Sequence, residues 1–178
     1  CVIDAIRHDI TIYAAHTNMD VVSNGVSGRM ADKLDLYHRQ ILQPEGDPMT
    51  GNGFGIIGEL QHPVESMAFL QQIKEIFRCD RLRYTTPHIL SIQRVAVCGG
   101  AGASFFKQAL AGQADIYISG DFKYHDFFLT ENRIMIADIG HYESEQFTKE
   151  IFYEILTKKI SKFAVQFSEI NTNPIKYL

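Results

Sequence analysis

Positive charge is in short supply in this sequence: 17 Lys and Arg stand against 21 Asp and Glu, for a net charge of −4 at pH 7. Such a chain has no bulk positive field for holding a phosphate backbone, so nucleic acid is not expected as a partner. Glycine and proline are sparse too, at 13 and 5 of 178 residues. With 46% hydrophobic and 21% charged residues, that excludes disordered and fibrous classes. No apolar run approaches the roughly 18 residues of a membrane span, and no basic-then-apolar leader opens the chain. A soluble, cytoplasmic protein with no membrane partner is therefore expected. Cysteine is limited to Cys1, Cys79 and Cys98, with no CxxC pair, so neither a disulfide framework nor a thiolate zinc site is indicated. Cys98 ends an apolar run and reads as a small buried hydrophobe.

What is present alternates. The chain opens on CVIDAIRHD, not on Met, and Val2, Ile3, Ala5 and Ile6 share one helical face. The segment reads as the middle of something longer, and an absent N-terminal part is expected. Ile10 to Ala15, ITIYAA, is short and apolar, as expected for a strand covered on both faces. A polar loop follows, and Asn24, Gly25 and Ser27 offer cap chemistry for a helix carrying Met30, Leu34 and Leu36 inward. From His38 to Gly55 turn formers dominate, which marks an internal boundary. FGIIGEL then predicts a strand, and Pro63 is placed in the first turn of a helix carrying Met67, Phe69, Leu70, Ile73, Ile76 and Phe77. Short strands are expected at Leu82 to Thr85 and Ile89 to Ile92.

The second half is more regular: strands at Val95 to Cys98, Ile116 to Ser119 and Ile134 to Ile139, with helices near Phe105 to Leu110 and Tyr124 to Leu129 and a long one from about Ser144. Alternation of this kind predicts an α/β sheet with crossover helices. Ala164 to Phe167 offers an edge strand, and the tail INTNPIKYL has no period and is expected on the surface.

In such sheets ligands gather where the loops leave the carboxyl ends of the strands. Those loops bring His16 and Asp20, Asp121 and His125, and His141 and Glu145 to one edge. His141 and Glu145 are four residues apart at a helix start, so imidazole and carboxylate share a face and can grip one divalent cation, with Asp20 as a bridging carboxylate. A capping network, in which Ser144 or Glu145 satisfies free amides, explains the same pair equally well. Gly99 to Ser104 reads either as an anion cradle or as glycines that allow close packing. Asp121 with His125 reads either as a pair that orients a ligand or as a surface turn, the former favoured by its location. No GxSxG elbow supports a serine hydrolase.

Taken together, IYAAHTNMD, GIIGEL, RVAVCGGAGASF, ADIYISGDFKYHD and IADIGHYESEQF resemble the successive signature segments of the dinuclear-metal-centre family of GTP cyclohydrolase 1 type 2 homologues, also called Nif-three-like. The resemblance implies a two-lobed α/β fold with mixed sheets flanked by helices. It also implies assembly into a toroidal homohexamer and two neighbouring divalent metal ions, of zinc, iron or manganese. Of the family ligands, the Asp of HTNxD and the His and Glu of GHYExE fall on Asp20, His141 and Glu145. The family's adjacent His pair has no counterpart in residues 1–178, so partial or no metal occupancy is expected for this chain. The family's inserted domain is replaced by the turn-rich stretch, which suggests a first lobe over 1–42, a linker or insertion point over 43–55, and a second lobe over 56–178. As an enzyme the protein would be a metal-dependent hydrolase acting on a nucleotide-like or other small phosphorylated substrate, with His16, Asp121 and His125 as candidates for proton handling. The alternative is a non-catalytic metal-binding ring that acts as a scaffold or regulatory interaction protein.

Overall fold

The computed structural model describes residues 1–178, the side chain of Pro48 excepted. Its centre is one six-stranded mixed sheet with strand order β1-β2-β4-β5-β6-β3. The strands are β1 (Tyr37–Pro44), β2 (Gly53–Glu65), β3 (Arg83–Tyr84), β4 (Ser91–Ala101), β5 (Ile116–Gly120) and β6 (Met135–Asp138). β4, β5 and β6 run parallel, and β1, β2 and β3 are antiparallel to their neighbours. The helices are α1 (Val2–Arg7), α2 (Thr17–Val21), α3 (Val26–Lys33), α4 (Ser66–Ile76), α5 (Phe106–Ala111), α6 (His141–Glu145) and α7 (Thr148–Lys159). The expected α/β class, with a mixed sheet flanked by helices, is what the chain adopts.

The period-2 pattern of the central strands divides the core in two. Val95, Val97, Ile116, Ile118, Met135 and Ala137 face α3 and α4, where Met30, Phe69, Ile73 and Phe77 close over them. Ala96, Cys98, Tyr117, Ile134 and Ile136 face the other way, against Phe106 and Ala109 of α5 and against Phe122. Both faces are covered, which is why these strands read as unbroken apolar runs.

Several expectations change. Ile10 to Ala15 is not a covered strand but a segment outside any helix or ladder, exposed from Ile10 through Ala14 and half-buried at Ala15. Its apolar pattern fits a strand, but no neighbouring strand lies beside it among the described residues, and a strand exists only through its ladder. The turn-rich stretch begins later than expected: His38 to Pro44 belongs to β1, and the turn proper is closed by Glu45 N donating to Asn52 O at 3.1 Å. Pro63 lies within β2, not in a helix. α4 starts at Ser66, where the Glu65 carboxylate accepts from Met67 N at 3.0 Å and Ala68 N at 2.8 Å, satisfying two amides that lack helical partners. Of the strand expected at Ile89 to Ile92 only Ser91 and Ile92 are strand, as the start of the long β4, and Tyr124–Thr130 is a 3-10 helix. The long helix from Ser144 is two helices, broken between Glu145 and Thr148. Ala164 to Phe167 is not a strand, and Phe167 instead stacks on Tyr153 with centroids 4.7 Å apart.

Candidate functional site

The three parallel strands end side by side, so the loops after β4, β5 and β6 meet at one edge. The Gly-rich end of β4 and the turn that follows it are tied down by serine hydroxyls. Ser27 Oγ accepts from Gly99 N at 3.2 Å, Ser144 Oγ from Gly100 N at 2.8 Å, and Ser119 Oγ from Gly102 N at 3.0 Å. These three amides are spent on the protein itself, which favours the close-packing reading over the anion cradle. Gly100 has φ +62°, and a Cβ there would lie 2.6 Å from Glu145 Oε1, so only glycine lets the loop pass beneath the site. Gly120 is equally constrained: a Cβ would lie 2.8 Å from His141 N. Ser27 and Ser144 were expected only as helix caps and Ser119 had no expected role, because each serine here serves an amide distant in sequence.

On that floor stands His141. Its Nδ1 lies 2.7 Å from Asp121 Oδ2, and its Nε2 lies 3.3 Å from Glu145 Oε1. Asp121 thus pairs with His141 and not, as expected, with His125. His125 lies outside the cluster, exposed and edge-on to Tyr124 with ring centroids 5.4 Å apart. The capping reading also lapses, since Ser144 Oγ accepts from Gly100 N and donates to the His141 carbonyl at 2.7 Å.

Charge connects the remaining members. Burial pulls the His141 imidazole down, but the hydrogen bond that it donates to Asp121 and the charges of Glu145, Asp121 and Asp20 outweigh it, and its pKa is raised. Burial raises Asp20 against the opposing pull of His16 and His141. Burial raises Glu145 as well, with His141 and His16 lowering it and Asp20 and Asp121 adding to the rise. His16, Asp20, Asp121, His141 and Glu145 therefore sense one another across four loops. The three carboxylates outnumber the two imidazoles, an imbalance that a cation would relieve.

As donors, an imidazole held by a carboxylate behind it and two further carboxylates suit a divalent cation. The number that converges is smaller: among the described residues no three His, Cys, Asp or Glu side chains are grouped closely enough to hold a metal ion. His141 and Glu145 make a two-donor face, with Asp20 near but not closed onto it. Burial pushes the Cys98 thiol up to about 11, away from the thiolate form at neutral pH. Beside the face opens a cavity of about 450 Å³, walled by His141, Tyr142, Glu145, Thr148, Pro174 and Ile175. The tail that forms its outer wall is held by Asn173 Nδ2 donating to Glu143 Oε1 at 3.1 Å. Glu143 is buried, and its role was invisible in the sequence because its partner lies 30 residues away. No helix is long and apolar enough to cross a membrane.

A family model described as Duf34/NIF3 (NGG1p interacting factor 3) matches residues 1–174. A GTP cyclohydrolase 1 type 2 homolog of Streptococcus pneumoniae is 36% identical over 184 aligned residues, which cover 99% of this chain and 68% of the relative. A protein of the same name from Lactococcus lactis is 32% identical, with coverage of 97% and 66%. This chain thus spans 68% and 66% of the length of these curated relatives. Among solved structures, Staphylococcus aureus SA1388 superposes with a TM-score of 0.84 at 23% identity, covering 97% of this chain and 70% of that one. The Bacillus cereus protein related to NIF3 does so with a TM-score of 0.84 at 20% identity, covering 99% and 76%. These two likenesses bear on the fold alone. Matched by the family model over nearly all its length and by a relative at 36% identity, the chain belongs to the Duf34/NIF3 family.

Proposed function

We propose that this chain carries part of a divalent-metal site in which His141, Glu145 and Asp20 are protein ligands, and that the family protein it represents is a metal-dependent hydrolase. The observation that carries the reading is the orientation of His141: Asp121 holds Nδ1 at 2.7 Å, and the free Nε2 faces Glu145 Oε1 at 3.3 Å. That is how a ligating imidazole is usually held. Two donors facing one point, with a third nearby, fall short of a closed site. The proposal therefore includes further donors beyond residues 1–178, of the adjacent-His kind the family resemblance implies, for a pair of zinc, iron or manganese ions.

A divalent cation bound there would supply Lewis acidity and an acidified water. The residues would do the rest. Asp121 would fix the His141 tautomer and so would not be free to move a substrate proton. His16, at the start of α2 and felt by both Asp20 and Glu145, is the better placed of the candidates for proton transfer. A cavity of about 450 Å³ is of small-molecule size, which suits a nucleotide-like or other small phosphorylated substrate. Assembly into a toroidal homohexamer belongs to the same proposal and is tested by sedimentation.

The test is Mn²⁺ binding, measured by calorimetry and elemental analysis, on this chain and on one extended to the length of its relatives. Glu145→Ala is expected to weaken binding at least about tenfold while the circular dichroism and melting curve stay unchanged, since the residue is only half-buried. Full occupancy in Glu145→Ala would overturn the ligand assignment. Metal binding by the extended wild type without hydrolysis of any phosphorylated substrate would favour the scaffold reading.

A further inference from the structure

The contact between Asp121 and His141 joins two loops whose backbones are both in the left-handed region next to the contact: Asp121 has φ +60° and Gly140 has φ +92°. A side chain that neither loop contributes ties them together. Asp138, the last residue of β6, is 4% exposed. Its Oδ2 accepts from Phe122 N at 3.2 Å, immediately after Asp121. Its Oδ1 accepts from Gly140 N at 3.0 Å, immediately before His141. Arg83, its register partner across β3 and β6, donates to Oδ2 and also to the Phe122 carbonyl at 2.7 Å. The chain of contacts closes into a ring: Asp121, Phe122, Asp138, Gly140, His141 and back to Asp121.

We infer that Asp138 is a positioning residue, whose buried carboxylate bolts both left-handed turns to the sheet and so sets the tautomer and direction of the His141 ring. Only a carboxylate suits the task. It presents two oxygens and no donor to two backbone N–H groups and a guanidinium, whereas an amide turns one of those positions into an N–H. That N–H would meet either Phe122 N or Gly140 N, and in a buried position no water replaces the lost acceptor. Asp121 is one of the residue types that tolerate the left-handed region, and Asp138 and Arg83 hold the residue after it through Phe122 N and the Phe122 carbonyl.

The inference rests on reading His141 as a metal ligand for its consequence, but not for its geometry, and the experiment separates the two. The ¹⁵N shifts of the His141 ring are measured in metal-free wild type and Asp138→Asn at alkaline pH, and Mn²⁺ affinity is measured on both in the extended chain. Wild type is expected to hold the Nδ1–H tautomer. Asp138→Asn is expected to shift toward a mixture and to bind Mn²⁺ about 10- to 100-fold more weakly. A purely structural role would lower the melting temperature and leave the tautomer alone, and unchanged ring shifts in Asp138→Asn overturn the inference. If neither protein binds Mn²⁺, the metal reading falls and the ring shifts still decide the role of Asp138. If Asp138→Asn does not fold, Arg83→Gln, altered at an exposed edge, carries the test: a smaller shift in the same direction supports the bolt, and an unchanged ring overturns it.

Discussion

Ile10 to Ala15 and Ile116 to Gly120 are close to interchangeable as strings, ITIYAA against IYISG, but their positions in the protein are opposite. Tyr117 and Ile118 are fully buried, at 0% exposure, while Ile12 and Tyr13 are 60% and 77% exposed. β5 has a parallel ladder on each side, to β4 and to β6. Among the described residues, the earlier segment is tied to the rest of the backbone only by Ile10 N donating to Ala5 O at 2.9 Å. A β-branched apolar run states a willingness to pair, and neighbours decide whether it does. The same rule governs the site: the loop after β5 has a defined shape because β4 and β6 end beside it, and the His16 loop is attached to the cluster through charge.

The comparison can be broken most forcefully at its buried member. Ile118→Ala should cost about 2–5 kcal/mol in urea unfolding, because the cavity would lie between two covered faces of the sheet. A loss below that range would mean that the core around β5 is looser than the packing indicates. Gly100→Ala should come next, at about 1–3 kcal/mol, since it forces a left-handed φ on alanine and drives a Cβ toward Glu145. Mn²⁺ affinity in the extended chain should fall with it, and a variant as stable and as metal-competent as wild type would show that the loop can move away.

The pH dependence sharpens the contrast further. His141, Asp20 and Glu145 all have folded values raised above their ordinary 6.5, 3.8 and 4.5. Each therefore binds its proton more tightly when folded, so its contribution is fully present below the ordinary value and is lost as pH rises through the raised one. Metal-free protein should lose site-derived stability as pH rises from below 3.8 to above 6.5, as read from chemical denaturation midpoints. Saturating Mn²⁺ in the extended chain should reverse that slope, because the cation needs deprotonated ligands. The smallest effect is expected at the exposed member: Ile12→Ala should stay within about 0.5 kcal/mol of wild type in this chain. A larger loss would show that the segment is buried in solution.

Legibility followed the same division. The strands of residues 91–139 could be read because both of their faces are covered, so burial wrote itself into an unbroken apolar run with glycine after each one. β1 could not, because Ile41 and Leu42 are its only aliphatic residues and only Leu42 is buried. His141 with Glu145 was visible as a four-residue spacing on one helix. Asp121 with His141 was not, since they lie 20 residues apart on two loops, and short-range spacing pointed instead to His125. The helix break after Glu145 left no proline or glycine signal. It is imposed where Phe147 turns into the core against Phe77, with ring centroids 6.2 Å apart.

By itself the sequence determined the α/β class, the family signature and the residue types at the site, because periodicity and short-range spacing are properties of a chain in isolation. Only the tertiary structure decided which loop serine holds which glycine amide, which carboxylate orients His141, and that Ile10 to Ala15 is left unpaired. Those outcomes depend on parallel strands ending side by side, and parallel neighbours are brought together by crossovers that sequence distance does not record.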